Sequence, residues 1–165
     1  MTLEAQVQVI LEIMLAAFLS TIIGWDRESR RQPAGLRTHI LVAVGACLFT
    51  GLSVHAFQGD TGRVAAQIVT GIGFLGAGTI IQKGGQAHHL TTAASIWSTA
   101  AVGMAVGVGA WLVSIGATVI IWSVLVIMRR LKKEDNIIPD KEQIAKEEAK
   151  GEDNMDDRVV NDYNR

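Results

Sequence analysis

The side chains with most capacity for chemistry lie in one stretch, residues 24–39, GWDRESRRQPAGLRTH. Asp26 and Glu28 are carboxylates of the kind that hold Mg²⁺, a cation that takes oxygen ligands and keeps several waters. Arg27, Arg30, Arg31 and Arg37 stand around them and would repel such a cation. The balance favours an anionic partner, such as lipid headgroups or phosphate, over a metal. Pro33 and Gly35 require a turn here, because proline lacks a donor and clashes inside a helix. Thr38 is then a candidate N-cap for the following helix.

Three further polar positions interrupt apolar runs. Glu12 falls within residues 5–24, where a charge at mid-bilayer costs ~2.5–3.5 kcal/mol on insertion scales. Two readings stand. Either Glu12 faces other helices or a watery crevice together with Gln8, or it is an intramembrane carboxylate that binds a cation or proton. Arg63 opens the run 63–82, at the helix end where the macrodipole disfavours a cation. Gln67, one turn on, extends its face. An interfacial arginine that snorkels outward and one retained for function are both consistent with this placement. Thr91, Thr92, Ser95, Ser98 and Thr99 give the next run a line of hydroxyls. Such groups bond to their own backbone or a neighbouring helix, or they line a polar pathway.

Other patterns carry less. Gly71 to Gly76 matches G-x-G-x-x-G, but no strand precedes it and Ser95 stands near the place of the required acid, so the dinucleotide reading fails. Small residues in that run, Gly73 with Ala77 and Gly71 with Gly78, are read as tight helix packing, the alternative being a kinked helix lining a pathway. His88 and His89 are adjacent, which suits regular metal ligation poorly. No nucleophile–base pair or metal cluster with usable spacing occurs. No enzyme activity, cofactor or metal site is expected, and no nucleic-acid partner.

These residues are held by elements whose nature the charge distribution gives. The 165 residues are 49% hydrophobic, with mean hydropathy +0.30. Residues 1–128 carry 11 of the 31 charged side chains and residues 129–165 the other 20. The first region reads as an integral membrane domain and the second as a charged tail, partly helical or disordered. A short solvated helix is expected over 140–150, following Pro139. Cys47 is the single cysteine, so no intrachain disulfide forms. Glu4 replaces the basic start of a secretory signal.

The expected fold is all-α, a polytopic membrane protein with five transmembrane helices. The spans are residues 5–24, 38–57, 63–82, 91–108 and 111–128. Residues 91–128 as one helix would be about 57 Å long, about twice the ~30 Å hydrocarbon layer. The turn is placed at Gly107 to Trp111, and Gly103 with Gly107 forms a GxxxG pair. Asp60 or Thr61 is expected to cap the third helix, and Thr91 or Thr92 the fourth. Arginines in the first link, Lys83 in the third and Arg129, Arg130, Lys132 and Lys133 after the last span all fall on one side. The positive-inside rule makes that side cytoplasmic, with the N-terminus outside and the C-terminus in the cytoplasm.

As a set, several motifs resemble the membrane domain of the MgtC/SapB family. They are Gly24-Trp-Asp-Arg-Glu28, Pro33-Ala-Gly-Leu-Arg-Thr-His39, Arg63-Val-Ala-Ala-Gln67, Gly71-Ile-Gly-Phe-Leu-Gly-Ala-Gly78, and Leu90-Thr-Thr-Ala-Ala94 followed by Trp97. The resemblance implies a multi-pass protein of the bacterial inner membrane. Known members support growth under magnesium limitation and survival inside host cells, and have been linked to control of the membrane ATP synthase. Those members carry a soluble C-terminal ACT-like domain, for which the 37-residue tail here is too short and too polar. The motif positions implied as functional are Asp26, Arg27, Glu28, Pro33, Gly35, Arg37, Thr38, Arg63, Gln67, Thr91 and Thr92, with Glu12 added from its place in the membrane.

Two function classes follow. One is a regulatory or adaptor membrane protein, contacting another membrane complex through helix faces, in adaptation to magnesium limitation or in ion homeostasis. The other is a transporter or channel for an ion or small solute. The lipid bilayer is a partner in both, and a homo-oligomer is open.

Overall fold

A computed structural model describes residues 1–56, 61–83 and 85–135. Among the described residues there are five helices: α1 Leu3–Ser29, α2 Leu36–Ala56, α3 Thr61–Ala77, α4 Leu90–Gly107 and α5 Trp111–Asp135. A two-stranded hairpin, β1 Ile81–Lys83 and β2 Gln86–His88, lies between α3 and α4. One compact unit takes in Met1–Val126, and a second runs from Ile127 onward. The all-α expectation is therefore met apart from the hairpin.

Among the described residues, four helices are long and apolar enough to cross a membrane: α1, α2, α4 and α5 over Trp111–Met128. The third element differs from the span expected at 63–82. Its helix is 17 residues, about 25 Å at 1.5 Å per residue, short of a ~30 Å hydrocarbon layer. Ile81-Gln82-Lys83 pairs antiparallel with Gln86-Ala87-His88 in the register Ile81↔His88, Gln82↔Ala87 and Lys83↔Gln86. Gly85 has φ +78°, the positive value that the tight hairpin turns require. Residues 83–89, expected as a plain polar link, thus include half of a hairpin.

The helix ends explain the other boundary shifts. α1 runs past the expected 5–24 to Ser29, so Asp26, Arg27 and Glu28 are helical rather than in a loop. It ends in a Schellman motif: Arg31 N–H donates to Glu28 O at 2.9 Å and Gln32 N–H to Arg27 O at 3.1 Å. Arg31, at φ +52°, occupies the left-handed position that usually selects glycine, and Pro33 follows to prevent continuation. α2 then begins at Leu36, two residues before Thr38, which lies in the first turn and is not its cap. α4 begins at Leu90 after His89, which is left-handed at φ 67° and makes no side-chain cap bond. Neither Thr91 nor Thr92 is that cap. Thr61 is the first residue of α3. Asp60 and the helix expected over 140–150 lie outside the described residues.

The turn placed at residues 107–111 is met. α4 closes with a second Schellman motif, Gly109 N–H to Val106 O at 2.8 Å and Ala110 N–H to Ala105 O at 2.9 Å. Here glycine does take the left-handed position, at φ +76°. α5 starts at Trp111 and continues to Asp135, beyond the expected end at 128.

α1, α2 and α4 pack against one another, and α3 lies against α2 and α4. The core is built of small and mid-sized residues: Ala16 and Leu19 of α1, Ala43 and Cys47 of α2, Val102 and Val106 of α4. Ala117 and Ile121 of α5 pack on it. The close approach of α2 and α4 rests on Gly103 and Gly107. A Cβ on Gly103 would collide with the carbonyl oxygen of Ala43. One on Gly107 would stand 2.6 Å from Cys47 O. By contrast, a Cβ on Gly71 or Gly73 of α3 meets nothing within 4 Å. Tight packing was expected of α3's glycines; within this chain it belongs to the GxxxG pair of α4. A Cβ on Gly76 would approach α4, at 3.6 Å from Ala93 O, and one on Gly78 would meet only the preceding turn, at 3.4 Å from Leu75 O.

Candidate functional site

The end of the bundle where α1 stops and α2 and α4 start gathers most of the motif residues. Arg27 is 3% exposed. Its Nη2 donates to Thr92 Oγ1 of α4 at 2.7 Å and to Gln32 Oε1 at 3.2 Å. Asp26, one residue earlier, is buried, and its Oδ1 accepts from Arg30 Nε at 2.7 Å. Glu28 Oε2 accepts the backbone N–H of Leu36 at 2.9 Å. An orphan donor at the N-terminus of α2 is thereby satisfied by a carboxylate eight residues upstream, the favourable sign for that end of a helix. Gly35 is needed for this, because a Cβ there would overlap Glu28 Oε2.

A second bridge runs from α2 to α4. His39 is fully buried. Its Nδ1 lies 2.8 Å from Gly35 O and its Nε2 3.1 Å from Ser95 Oγ. A carbonyl only accepts, so Nδ1 carries the proton that goes to Gly35 O, and Ser95 Oγ, whose single proton goes to the Thr92 carbonyl, stands beside Nε2. Ser95 Oγ also lies 2.8 Å from Thr92 O. The α1–α2 approach beside His39 depends on Gly24, where a Cβ would stand 2.9 Å from Leu36 Cα.

Ser95 and His39 have the separation of a nucleophile–base pair. Both are enclosed, at 3% and 0% exposure, which leaves no approach for a substrate. Chemically the cluster is a brace. It ties the end of α1 and the start of α2 to the first two turns of α4. The residues implied by the motifs are thus brought together in part: Asp26, Arg27, Glu28, Gly35 and Thr92 belong to the brace, whereas Thr91 is exposed and outside it. Pro33 serves the turn, where Ala34 beside it is buried. His39 and Ser95 were not among those candidates. The i, i+3 spacing of Thr92 and Ser95, which puts both hydroxyls on one helix face, was the available signal.

Arg37, Thr38, Arg63 and Gln67 belong elsewhere. They line an open groove of about 770 Å³ between α2 and α3, with Gly45, Phe49 and Gly71 among its walls. Arg37 and Arg63 lie toward opposite ends of it. Glu12 is apart from both, at 2% exposure. Gln8 Nε2 donates to its Oε1 at 2.9 Å, so the shared face expected of the two residues is present. Glu12 Oε2 is buried and has no hydrogen-bond partner. Among the described residues no group of three or more His, Cys, Asp or Glu side chains could hold a metal ion. The hydroxyls of Ser98 and Thr99 bond to their own helix, at Ala94 O and Ser95 O.

Comparison with known proteins gives the family. The model of the MgtC family matches residues 13–134. "Protein MgtC" of Salmonella typhimurium (strain LT2) is 41% identical over 130 residues, covering 79% of this chain and 56% of the relative. "Putative magnesium transporter YhiD" of Escherichia coli (strain K12) is 40% identical over 131 residues, 74% of this chain and 61% of the relative. "Protein MgtC" of Brucella abortus (strain 2308) is 48% identical over 118 residues, 70% of this chain and 49% of the relative. The chain therefore spans about half to three-fifths of the length of these relatives. No solved structure matches it. With a family model over most of its length, relatives near 40% identity and four described helices long and apolar enough to cross a membrane, the chain is a membrane protein that belongs to the MgtC family.

Proposed function

We propose that this protein is a non-enzymatic regulatory or adaptor protein of the bacterial inner membrane, acting in adaptation to magnesium limitation or in ion homeostasis. The observation that carries this reading is how the polar residues are used. Arg27, His39, Thr92 and Ser95 are bonded to one another and at most 3% exposed, so they hold helices together and do not line a route for a solute. The surface left open is the α2–α3 groove. From Arg37 to Phe49 it runs about 18 Å along α2. Gly45 and Gly71 leave room in it, since a Cβ on either meets nothing within 4 Å. A transmembrane helix of another membrane protein is the occupant proposed, with acidic or polar groups opposite Arg37 and Arg63. The name of the Escherichia coli relative supplies the magnesium context.

In this reading α3 completes a five-span topology, with the N-terminus outside and the C-terminus cytoplasmic, as the arginines near residues 27–37 favour. A second reading, a transporter or channel for an ion, is favoured by the unpartnered oxygen of Glu12 and by the name of the Escherichia coli relative.

Reconstitution into liposomes with flux assays for Mg²⁺, K⁺ and H⁺ separates the two. The expected outcome is no flux, together with photo-crosslinking from Leu41 or Phe49 to a subunit of a larger membrane complex. Flux that disappears in Glu12→Gln would overturn the adaptor reading.

A further inference from the structure

Glu12 takes no part in the brace or the groove, and its surroundings ask for one more atom. The carboxyl lies about 14 Å along α1 from Leu3. Oε1 accepts from Gln8 Nε2, while Oε2 is buried, turned toward α2, and without a hydrogen-bond partner. A Cβ built on Gly51 of α2 would stand 3.8 Å from Oε2 and 3.3 Å from Val9 Cγ2. An ionised carboxylate with one bare oxygen in an apolar interior is costly. A cleft of about 760 Å³, lined by Leu3, Glu4, Val7, Gln8, Glu12 and Trp111, reaches this carboxyl.

We propose that Glu12 is a proton-binding site, exchanging its proton through the cleft beside Glu4 and Trp111. Protonation forms an O–H bond at Oε2 and leaves Oε1 as the carbonyl oxygen, the role its bond from Gln8 already gives it. Release returns the proton to water and restores the carboxylate. A proton suits the site better than a metal cation does. Mg²⁺ demands an octahedral set of oxygens, whereas this cleft offers two glutamates and an amide among apolar walls. The charged or titratable groups facing Glu12 are few. α1 supplies Glu4, and α2 supplies Cys47 and His55, one turn either side of Gly51. The described spans of α4 and of α5 through Met128 contain none. The site stands independently of the adaptor reading, since it requires neither a partner nor net transport.

The test uses the whole chain in phospholipid nanodiscs and dicyclohexylcarbodiimide, which modifies protonated carboxyls in apolar surroundings. Peptide mass spectrometry should find the adduct on Glu12, falling with the protonated fraction as pH rises and insensitive to added Mg²⁺ or K⁺. Glu4→Gln should leave it unchanged and Glu12→Gln should abolish it. Infrared pH-difference spectra of the unsubstituted protein give a second measurement that no variant's folding affects. A carboxylic acid C=O stretch should disappear on raising the pH, and the same band should be present in Glu4→Gln. Absence of that band from the unsubstituted protein would overturn the proposal. So would protection of Glu12 by Mg²⁺ or K⁺, which would make it a metal-cation site.

Discussion

Arg27 Nη2 donates to Thr92 Oγ1 at 2.7 Å, joining the end of α1 to the start of α4 across 65 residues of sequence. The guanidinium is buried, so its stability depends on the acceptors around it. Removing one acceptor by Thr92→Val leaves a buried donor short of a partner, at a cost of about 1–3 kcal/mol. Arg27→Met removes the charge and the need together. A double-mutant cycle by thermal unfolding in detergent should therefore show Thr92→Val costing far less in the Arg27→Met background than in the parent. Equal costs in both would mean the bond contributes nothing.

The glycines give an independent prediction. Gly103→Ala and Gly107→Ala place a methyl group against α2, where the nearest atoms, Ala43 O and Cys47 O, are main chain and cannot rotate away. Each should destabilise by about 1–3 kcal/mol, the range for overpacking. Gly71→Ala and Gly73→Ala should cost nothing from clash and gain about 1 kcal/mol each in helix propensity. Unfolding transitions of the four variants in one detergent decide it. A reversed order would contradict the α2–α4 packing.

That contrast shows what the sequence made legible. Four of the five expected spans, the turn at 107–111 and the need for a bend at Pro33 followed from hydropathy, length and proline chemistry. Which glycines pack did not follow, because both α3 and α4 carry small residues at helical spacing and the choice depends on which face meets a neighbour. The hairpin was hidden for a similar reason. Ile80-Ile81-Gln82 extends the apolar run of α3, and only the Gly84-Gly85 pair marks a turn. In the site, Asp26 to Glu28 were recognisable as a motif. Their service as a brace depends on Thr92, Ser95 and Leu36, distant in sequence, and the pairing of Glu28 with the N–H of Leu36 displaced the local capping expected of Thr38.

Arg31 supplies a prediction about the turn itself. Its φ of +52° is a conformation that costs an L-residue roughly 1–2 kcal/mol relative to the right-handed region. Glycine has no such penalty there. Arg31→Gly should therefore raise stability by up to about 1 kcal/mol, offset in part by the greater freedom of glycine in the unfolded chain. A lowered melting temperature would indicate that the Arg31 side chain makes a contribution larger than the backbone term.

Arg37 and Arg31 are both exposed arginines in the same short stretch, and their surroundings separate them. Arg37 lines the α2–α3 groove proposed as the docking face, and its side chain has no hydrogen-bond or ion-pair partner among the described residues. Nothing in the fold is lost with it. Arg31 lies in the turn after α1. Arg37→Ala should therefore impair growth under magnesium limitation and reduce crosslinking from Phe49, while leaving the unfolding free energy within about 0.5 kcal/mol of the parent. Arg31→Ala should leave both growth and crosslinking intact. Equal tolerance of the two changes in the growth assay would remove Arg37 from the functional surface, and with it the charge at that end of the groove as a means of recognising a partner.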